Sequence, residues 1–583
     1  MTSDINDVDV FISGCGPVGL WFGYLMARRG HSIYIADKKS GPTSQSRALL
    51  ITARVLEIFE SEHIVHHILK NAYLAGGNQL FWGTTAIGTA DVPQDAIYPQ
   101  LTLVPQGTTE TIIKGLLEKM TTIHWNTELV SYKQEKDHVL ATVRDDQGEK
   151  LVKAKYIIGA DGCHSIVRKQ GQDWTYEGYS VATLFSMADV ALAGPDLEKM
   201  QHRLTVSYNS KGLCGAIPLG PLMEDSRQYF RIIMNMGPYE ESSPDAARPS
   251  HGIIDREPMN LEEIQKIMHD RMTGFNISAS DPIWSSYFKI NERKANGFRR
   301  NRAFVMGDAA HCHSPVGGQG MNLGIMDGQS SDPEKLLDSY STEREPPVEQ
   351  TMRSTGNATR TAFLGGYWMD VVRYLGLRLV FAIPRVRDYG MRLLMQIDLA
   401  LGASPILGSS SSGLLAAGHY LPDTTVLRRR IITEDQSGMI YKSLHQILHQ
   451  STRHTALFVV TRPPHCLPNK LITAFWDKIL PYRTSVRPLI VESAWHASDH
   501  RMPQGIDPAI EDPTDAYWIE GRSDGSDSIS VKIGLQPHFS GSNPPAALIL
   551  VRPDRYVAHS MLINSSSDID KAISFFDTYL SKQ

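Results

Sequence analysis

The sequence predicts an α/β fold that opens on a parallel βαβ unit, and three observations predict it. Asp7 to Ser13 (DVDVFIS) is an apolar strand run that passes directly into Gly14-Cys15-Gly16-Pro17-Val18-Gly19. From Pro17 to Arg29 apolar residues recur at helical spacing, with Gly30 as the stop, and a second strand, His31 to Ala36, ends at Asp37. Further on, two apolar strands each break into an acidic turn: Tyr156 to Ala160 into Asp161-Gly162, and Arg302 to Met306 into Gly307-Asp308-Ala309-Ala310-His311.

Each element has a physical reason. Gly14 and Gly16 fall where strand turns to helix, and a side chain there would block a pyrophosphate that bare backbone N–H groups and the helix dipole can hold. Gly19 lets the helix pack closely on the strand, and Asp37, about 20 residues on, is placed to accept the ribose hydroxyls of an adenosine. Such a turn alone is a weak signal, but strand, turn, helix, strand and terminal acid in this order indicate a Rossmann-like dinucleotide site. The Asp161 and Asp308 turns narrow the dinucleotide to FAD, because an acidic hairpin can carry a flavin's ribityl chain.

With these residues in view, the chain resembles the class A flavoprotein monooxygenases, the single-component aromatic hydroxylases, over roughly its first 345 residues. The resemblance implies that Arg47 and Gln106 contact FAD, that Asp161 serves FAD and a visiting nicotinamide, and that Gly307 and Asp308 hold the ribityl hydroxyls, with Asp308, at the end of an apolar strand, expected to be buried. Pro315 to Asn322 is expected beneath the flavin ring, where Gly320 gives close backbone approach and the N–H groups of Met321 and Asn322 stabilise negative charge. The implied reaction has NAD(P)H reduce FAD, O2 add at C4a, and the hydroperoxide pass one oxygen to an electron-rich ring. No second glycine-turn unit exists for the nicotinamide, which suits transient docking. A Baeyer–Villiger or epoxidising relative is the alternative within the enzymes.

Two departures from the family pattern stand out. The aspartate that phenol hydroxylases carry soon after the Arg47 position is replaced by Leu49-Leu50-Ile51, and the usual helix after Asp327 is cut short by roughly three turns. The second leaves a catalytically silent flavin-fold protein as a further alternative.

The expected organisation is interleaved: residues 1–345 combine the FAD-binding domain with a sheet-rich substrate domain in pieces at about 76–100 and 181–290. There Gln201 to Tyr208, Leu213 to Leu219 and Gln228 to Met236 read as strands roofing a cavity, and Gly237 to Pro258 as a polar loop. Tyr208, Tyr229, Arg231 and Pro315 are the pocket candidates; strand alternation puts Tyr229 and Arg231 on one face and Phe230 on the other. Residues 346–400 form a helical segment whose most apolar run, Tyr374 to Pro384, is too short to span a bilayer and is read as packed on the catalytic domain.

A Gly/Ser-rich linker at Leu401 to Gly413 precedes a C-terminal α/β domain at 414–583. Its βαβ-ββα order resembles the thioredoxin-like domain of phenol-hydroxylase-type enzymes. One thiol, Cys466, stands where a redox thioredoxin has two, so a structural or dimer-forming role, as in a homodimer, is expected.

At 583 residues and 42% hydrophobic content the chain can build more than one full core, and a net charge of -5 gives no electrostatic case for nucleic acid. Five scattered cysteines without a CxxC pair suit a reducing compartment, and the polar N-terminus offers no signal peptide, so a cytoplasmic location is expected. His311-Cys312-His313 point in different directions and are not read as metal ligands. The partners expected are therefore a small aromatic substrate and O2.

Overall fold

The apolar run after Asn6 forms a strand because it is buried on both faces: Phe11 and Ile12 are fully covered, each contributing about 1.5–3 kcal/mol of apolar burial. The structure, a computed structural model, describes residues 6–44, 48–94, 96–238, 252–254, 257–312, 319–327, 339–363, 367–424, 427–432, 437–449, 451, 453–461, 470–493, 516–520, 528–539, 545–578 and 580. Two units divide the chain. Unit 1 holds residues 1–59, 64–332 and 344–397; unit 2 holds 60–63, 333–343 and 398–583.

In unit 1 the chain runs through Asn6–Ser13 (β1), Pro17–Arg28 (α1), Ile33–Ala36 (β2), Gln106–Leu117 (α2) and Gly148–Gly159 (β3). Next come Tyr176–Ala193 (β4), Arg203–Asn209 (β5), Gly212–Pro218 (β6), Gln228–Pro238 (β7), Ser278–Ala295 (β8) and Ala303–Val305 (β9). Gly320–Asp327 (α3), Tyr367–Ala382 (α4) and Pro384–Leu394 (α5) complete the elements that build the site.

The first sheet is parallel where it matters: β1 lies between β2 and β3, with Ser13 opposite both Ala36 and Gly159, and β3 pairs in turn with β9. Three strand ends, each followed by a turn, thus arrive at one edge. That edge is where ligands bind in open parallel sheets.

The second sheet gathers Gly77–Trp82, Thr85–Asp91, β4 to β8 and a short Gly252–Ile254 strand, so its strands are interleaved in sequence with those of the first. β4 and β8, each 18 residues long, pair along their length. Neither was legible as one strand: Asp281, at φ 44°, and Pro282 read as a turn, yet the sheet absorbs them where its register shifts between Asp189 and Ala191. The polar loop expected from Gly237 also needs correction at its end, since Gly252–Ile254 pairs with β8.

In unit 2, His454–Thr461 (β10), Lys470–Ile479 (α6), Val486–Ser493 (β11), Ala546–Val551 (β12), Val557–Ile563 (β13) and Ser566–Ile573 (α7) follow the expected order. β10 is parallel to β11 and antiparallel to β12, which pairs with β13. Cys466 lies outside the described residues. The expected Gly/Ser linker is not a free tether: Gly408 and Ser411 N–H groups donate to Ala558 and Ser560 carbonyls, and Ser410 bridges to Ser560, so it lies along β13.

His454 begins β10, 7% exposed and edge-on to Phe576. Burial, reinforced by the Arg552 charge, pulls its imidazole from the ordinary 6.5 down to about 4. A histidine depressed in the fold binds protons more readily unfolded, so its stabilisation is complete above pH 6.5 and is lost as pH falls toward 4. At about 1.4 kcal/mol per unit, roughly 3 kcal/mol should disappear over that window. His454→Phe is expected to flatten the pH dependence of unit 2 melting between pH 7 and pH 5 by several kelvin, checked by calorimetry.

Candidate active site

The turn between β1 and α1 is shaped by what its glycines touch. Gly14 has φ +105°, and a Cβ there would stand 2.4 Å from the Ala160 carbonyl oxygen; one at Gly19 would stand 1.9 Å from the Gly14 oxygen. Gly16 differs, because a Cβ on it would meet nothing within 4 Å. The space in front of Gly16 is therefore open, at the N-terminus of a helix whose first N–H groups and positive dipole end face it. Asp37, 8% exposed, accepts from the Cys15 N–H at 2.7 Å and the Lys39 N–H at 2.9 Å, which fixes its carboxylate beside the turn.

The Asp161 carboxylate accepts from the Ile166 N–H at 2.8 Å through Oδ2, while its buried Oδ1 has no partner among the described residues. Burial raises its pKa, and hydrogen bonds to Ser165 and Ile166 oppose that rise.

Gly307, at φ +56°, opens the third turn and packs so tightly on α1 that a Cβ would meet Val18 at 2.9 Å. Asp308 follows it and is exposed on the wall of the space in front of the turn. The expectation of a buried Asp308 is thus corrected: the short helical turn from Gly307 to Ala309 rotates its side chain outward.

A cavity of about 1330 Å³ joins these parts. Gly14, Gly16, Asp37, Gln106, Asp161, Asp308, Gly320 and Met321 line it, as do Leu49 and Leu50 where phenol hydroxylases carry an aspartate. Gln106 opens α2, where its amide bonds Glu110 at 2.8 Å; buried Glu110 in turn accepts from the Thr43 N–H at 2.7 Å. Asn322 is not on the wall. Its buried side chain accepts from the Thr52 N–H at 2.9 Å and donates to the Leu50 carbonyl at 2.8 Å, clamping α3 against the Leu50–Ile51 strand. Arg47, Pro315, His313 and the 328–338 stretch that should have held the missing helix lie outside the described residues.

The wall that the second sheet contributes is mostly apolar, with Phe185, Met187, Val206, Ile233 and Phe288 beside the polar Arg231 and Lys289. Alternation holds on β7: Phe230, Ile232 and Met234 enter the core on one face, while Arg231 and Ile233 face the cavity. Two pocket candidates need correction. Tyr229 does not line the cavity, and Arg231, 1% exposed, is locked in a two-point pair with Asp189, Nε to Oδ1 and Nη2 to Oδ2 both at 2.8 Å. Trp284 Nε1 adds a third bond to Asp189 at 2.8 Å. A cation so matched is structural, not a receptor for phenolate. Tyr208 does line the cavity.

Asp327 was missed. It sits fully buried at the end of α3 and accepts from the Gly307 N–H at 3.0 Å, bonds His311 Nε2 at 2.9 Å, and accepts from Arg344 Nε at 2.9 Å. Burial alone would raise its pKa, but the charges of His311 and Arg344 outweigh it and hold the carboxyl below its usual range. This trio positions the turn that carries Asp308. The sole signal in the sequence was an acid ending an apolar helix, which resembles an ordinary solvated end.

α4 also lines the cavity, through Met369, Val372, Arg373, Gly376, Leu377 and Val380. It packs on unit 1 as expected, with Phe381 against Gly88. Among the described residues no helix is long and apolar enough to cross a membrane.

A family model described as an FAD binding domain matches residues 7–355. The chain is 28% identical to a 6-methylpretetramide 4-monooxygenase of Streptomyces rimosus, over 72% of this chain and 74% of that one. It is 28% identical to a rifampicin monooxygenase of Streptomyces venezuelae, over 60% and 70% respectively. The fold is similar to that of the OxyS anhydrotetracycline hydroxylase from Streptomyces rimosus, with TM-score 0.65 and 20% identity over 98% of this chain and 99% of that one.

Proposed function

The chain belongs to the FAD-binding-domain family, and on that premise we propose that it hydroxylates a phenolic or polyketide-like aromatic metabolite. It is an FAD-dependent monooxygenase that consumes NAD(P)H and O2. One observation supports the substrate reading above all: at about 1330 Å³ the cavity exceeds the roughly 300–1,000 Å³ of a single-ligand pocket, and the walls that the second sheet and α4 contribute are mostly apolar. It has room for the flavin and a flat apolar guest together.

On this reading the N–H groups of the Gly14–Gly16 turn and of α1 receive the pyrophosphate. Asp37 accepts the adenosine ribose hydroxyls on lone pairs its two backbone donors leave over. Arg47, Gln106, Asp161 and Asp308 complete the cofactor contacts, with Asp308 on the ribityl hydroxyls. The N–H groups at the start of α3, from Gly320, Met321 and Asn322, hold negative charge at the ring edge, and the Asn322 side chain fixes their direction. FAD held by these residues would supply acceptance of a hydride equivalent from NAD(P)H and activation of O2, with one oxygen destined for the aromatic ring and the other for water. The apolar roof keeps bulk water from the reacting ring.

Asp308→Ala is expected to weaken FAD binding by roughly ten- to a hundredfold, the loss of a charge-assisted hydrogen bond. Flavin retained on dilution checks it, and full occupancy would remove Asp308 from the set. The proposal itself is tested with purified protein. Flavin absorbance and NAD(P)H oxidation stimulated by phenols are expected, whereas a colourless protein inert to FAD would refute it.

Unit 2 we read as thioredoxin-like, with a structural or dimer-forming role. Strand order β11-β10-β12-β13 with β12 antiparallel to both neighbours supports that reading. Five scattered cysteines without a CxxC pair support a reducing, cytoplasmic setting.

A further inference from the structure

α4 forms part of the cavity wall. The residues it sends to the wall recur every three or four positions and form one face, apolar except for Arg373. Tyr208 on β5 also lines the cavity, close enough to Arg373 to feel its charge. Trp82 stacks on the Tyr208 ring at 6.1 Å and meets Tyr374 edge-on at 5.8 Å, so this aromatic series fixes α4 with Arg373 turned to the cavity.

We propose that Arg373, with Tyr208 beside it, forms an anion subsite that receives an ionised oxygen of the aromatic substrate, a phenolate, enolate or carboxylate. The inference rests on the monooxygenase reading above, whose substrate it narrows to aromatics that carry negative charge.

The two cavity arginines differ in how their charge is matched. Arg231 meets its carboxylate at two points in a site that solvent does not reach. The Arg373 side chain is less covered, at 9% exposed, and Asp370, which accepts from its Nη1 at 2.7 Å, is 27% exposed and one helical turn away. Partly exposed pairs of this kind contribute about 0–1 kcal/mol, so an anion arriving in the cavity can share the guanidinium at little cost. Burial raises the Tyr208 phenol to about 12, keeping it a hydrogen-bond donor, and the Arg373 charge is felt there as an opposing effect. In a mostly apolar chamber an unpaired charge is strongly disfavoured, so the guanidinium together with the phenol donor selects for a charged guest.

The test titrates FAD-loaded protein at pH 7.5 with 1-hydroxy-2-naphthoate and with its methyl ester, followed by flavin fluorescence. Wild type should bind the acid more tightly than the ester. Arg373→Gln should lose roughly ten- to a hundredfold for the acid and little for the ester, Arg373→Lys should restore most of it, and Tyr208→Phe should cost a few-fold for the acid alone. Equal affinities in wild type, no binding of either probe, or equal losses for both in Arg373→Gln would overturn the subsite. Flavin content of the same samples reports separately on the monooxygenase reading. A protein without flavin refutes that reading, and the same acid-against-ester contrast, followed by tryptophan fluorescence, still decides the subsite.

Discussion

Gly16→Val is expected to give a folded, colourless protein. A Cβ at Gly16 meets nothing within 4 Å and its φ of -74° suits any residue, so the apoprotein should melt near the wild-type temperature. The added side chain would instead fill the space in front of the turn, removing the backbone N–H contacts and helix end that hold a pyrophosphate. Losing several such charge-assisted bonds at about 1.5–3 kcal/mol each should weaken FAD by more than roughly a thousandfold. Gly19→Ala provides the contrast. Its Cβ would lie 1.9 Å from the Gly14 oxygen, so it should destabilise the fold itself. Flavin absorbance and melting temperature, measured on both variants, separate the two. A yellow Gly16→Val protein would place the pyrophosphate elsewhere.

Asp327→Ala should be the most destabilising single change near the site. It would leave Arg344, with its side chain 3% exposed, and His311, 1% exposed, without the carboxylate that joins them. Breaking a buried pair from one side costs about 3–5 kcal/mol, mostly because a charge is stranded. Asp327→Leu combined with Arg344→Met should recover much of that loss, since the guanidinium is then removed together with its carboxylate. Chemical denaturation of the single and double variants checks it; additive losses would mean that the trio is not coupled. Flavin affinity should fall in both, because the Gly307 N–H loses its acceptor and the turn bearing Asp308 loosens.

What could be read from the sequence was local. Strand, glycine turn, helix and Asp37 lie within 40 residues of the start, and Gly14 and Gly19 are required by neighbours just past the adjoining strand or a few positions away. Alternation on β7 was legible because a strand has period two, which separated Phe230 from Arg231. The fate of Arg231 was not, since the carboxylate that neutralises it is Asp189, on the neighbouring strand and 42 residues away in sequence. α4 hid its cavity face for another reason: Leu375 and Leu379, on the side away from the cavity, are 60% and 62% exposed, so apolar residues surround the helix and periodicity points nowhere. Asp308 was placed correctly in the chain but wrongly in depth, because a strand-end acid reads the same whether its turn rotates it inward or outward.

The most direct test supplies the purified enzyme with NAD(P)H, isotopically heavy O2 and a panel of phenolic and polycyclic aromatic compounds, and weighs the products. The account predicts a product carrying one heavy oxygen atom, formed only when FAD is bound and lost in Gly16→Val. Oxygen drawn from water, or NAD(P)H oxidised to hydrogen peroxide alone across the whole panel, would contradict it.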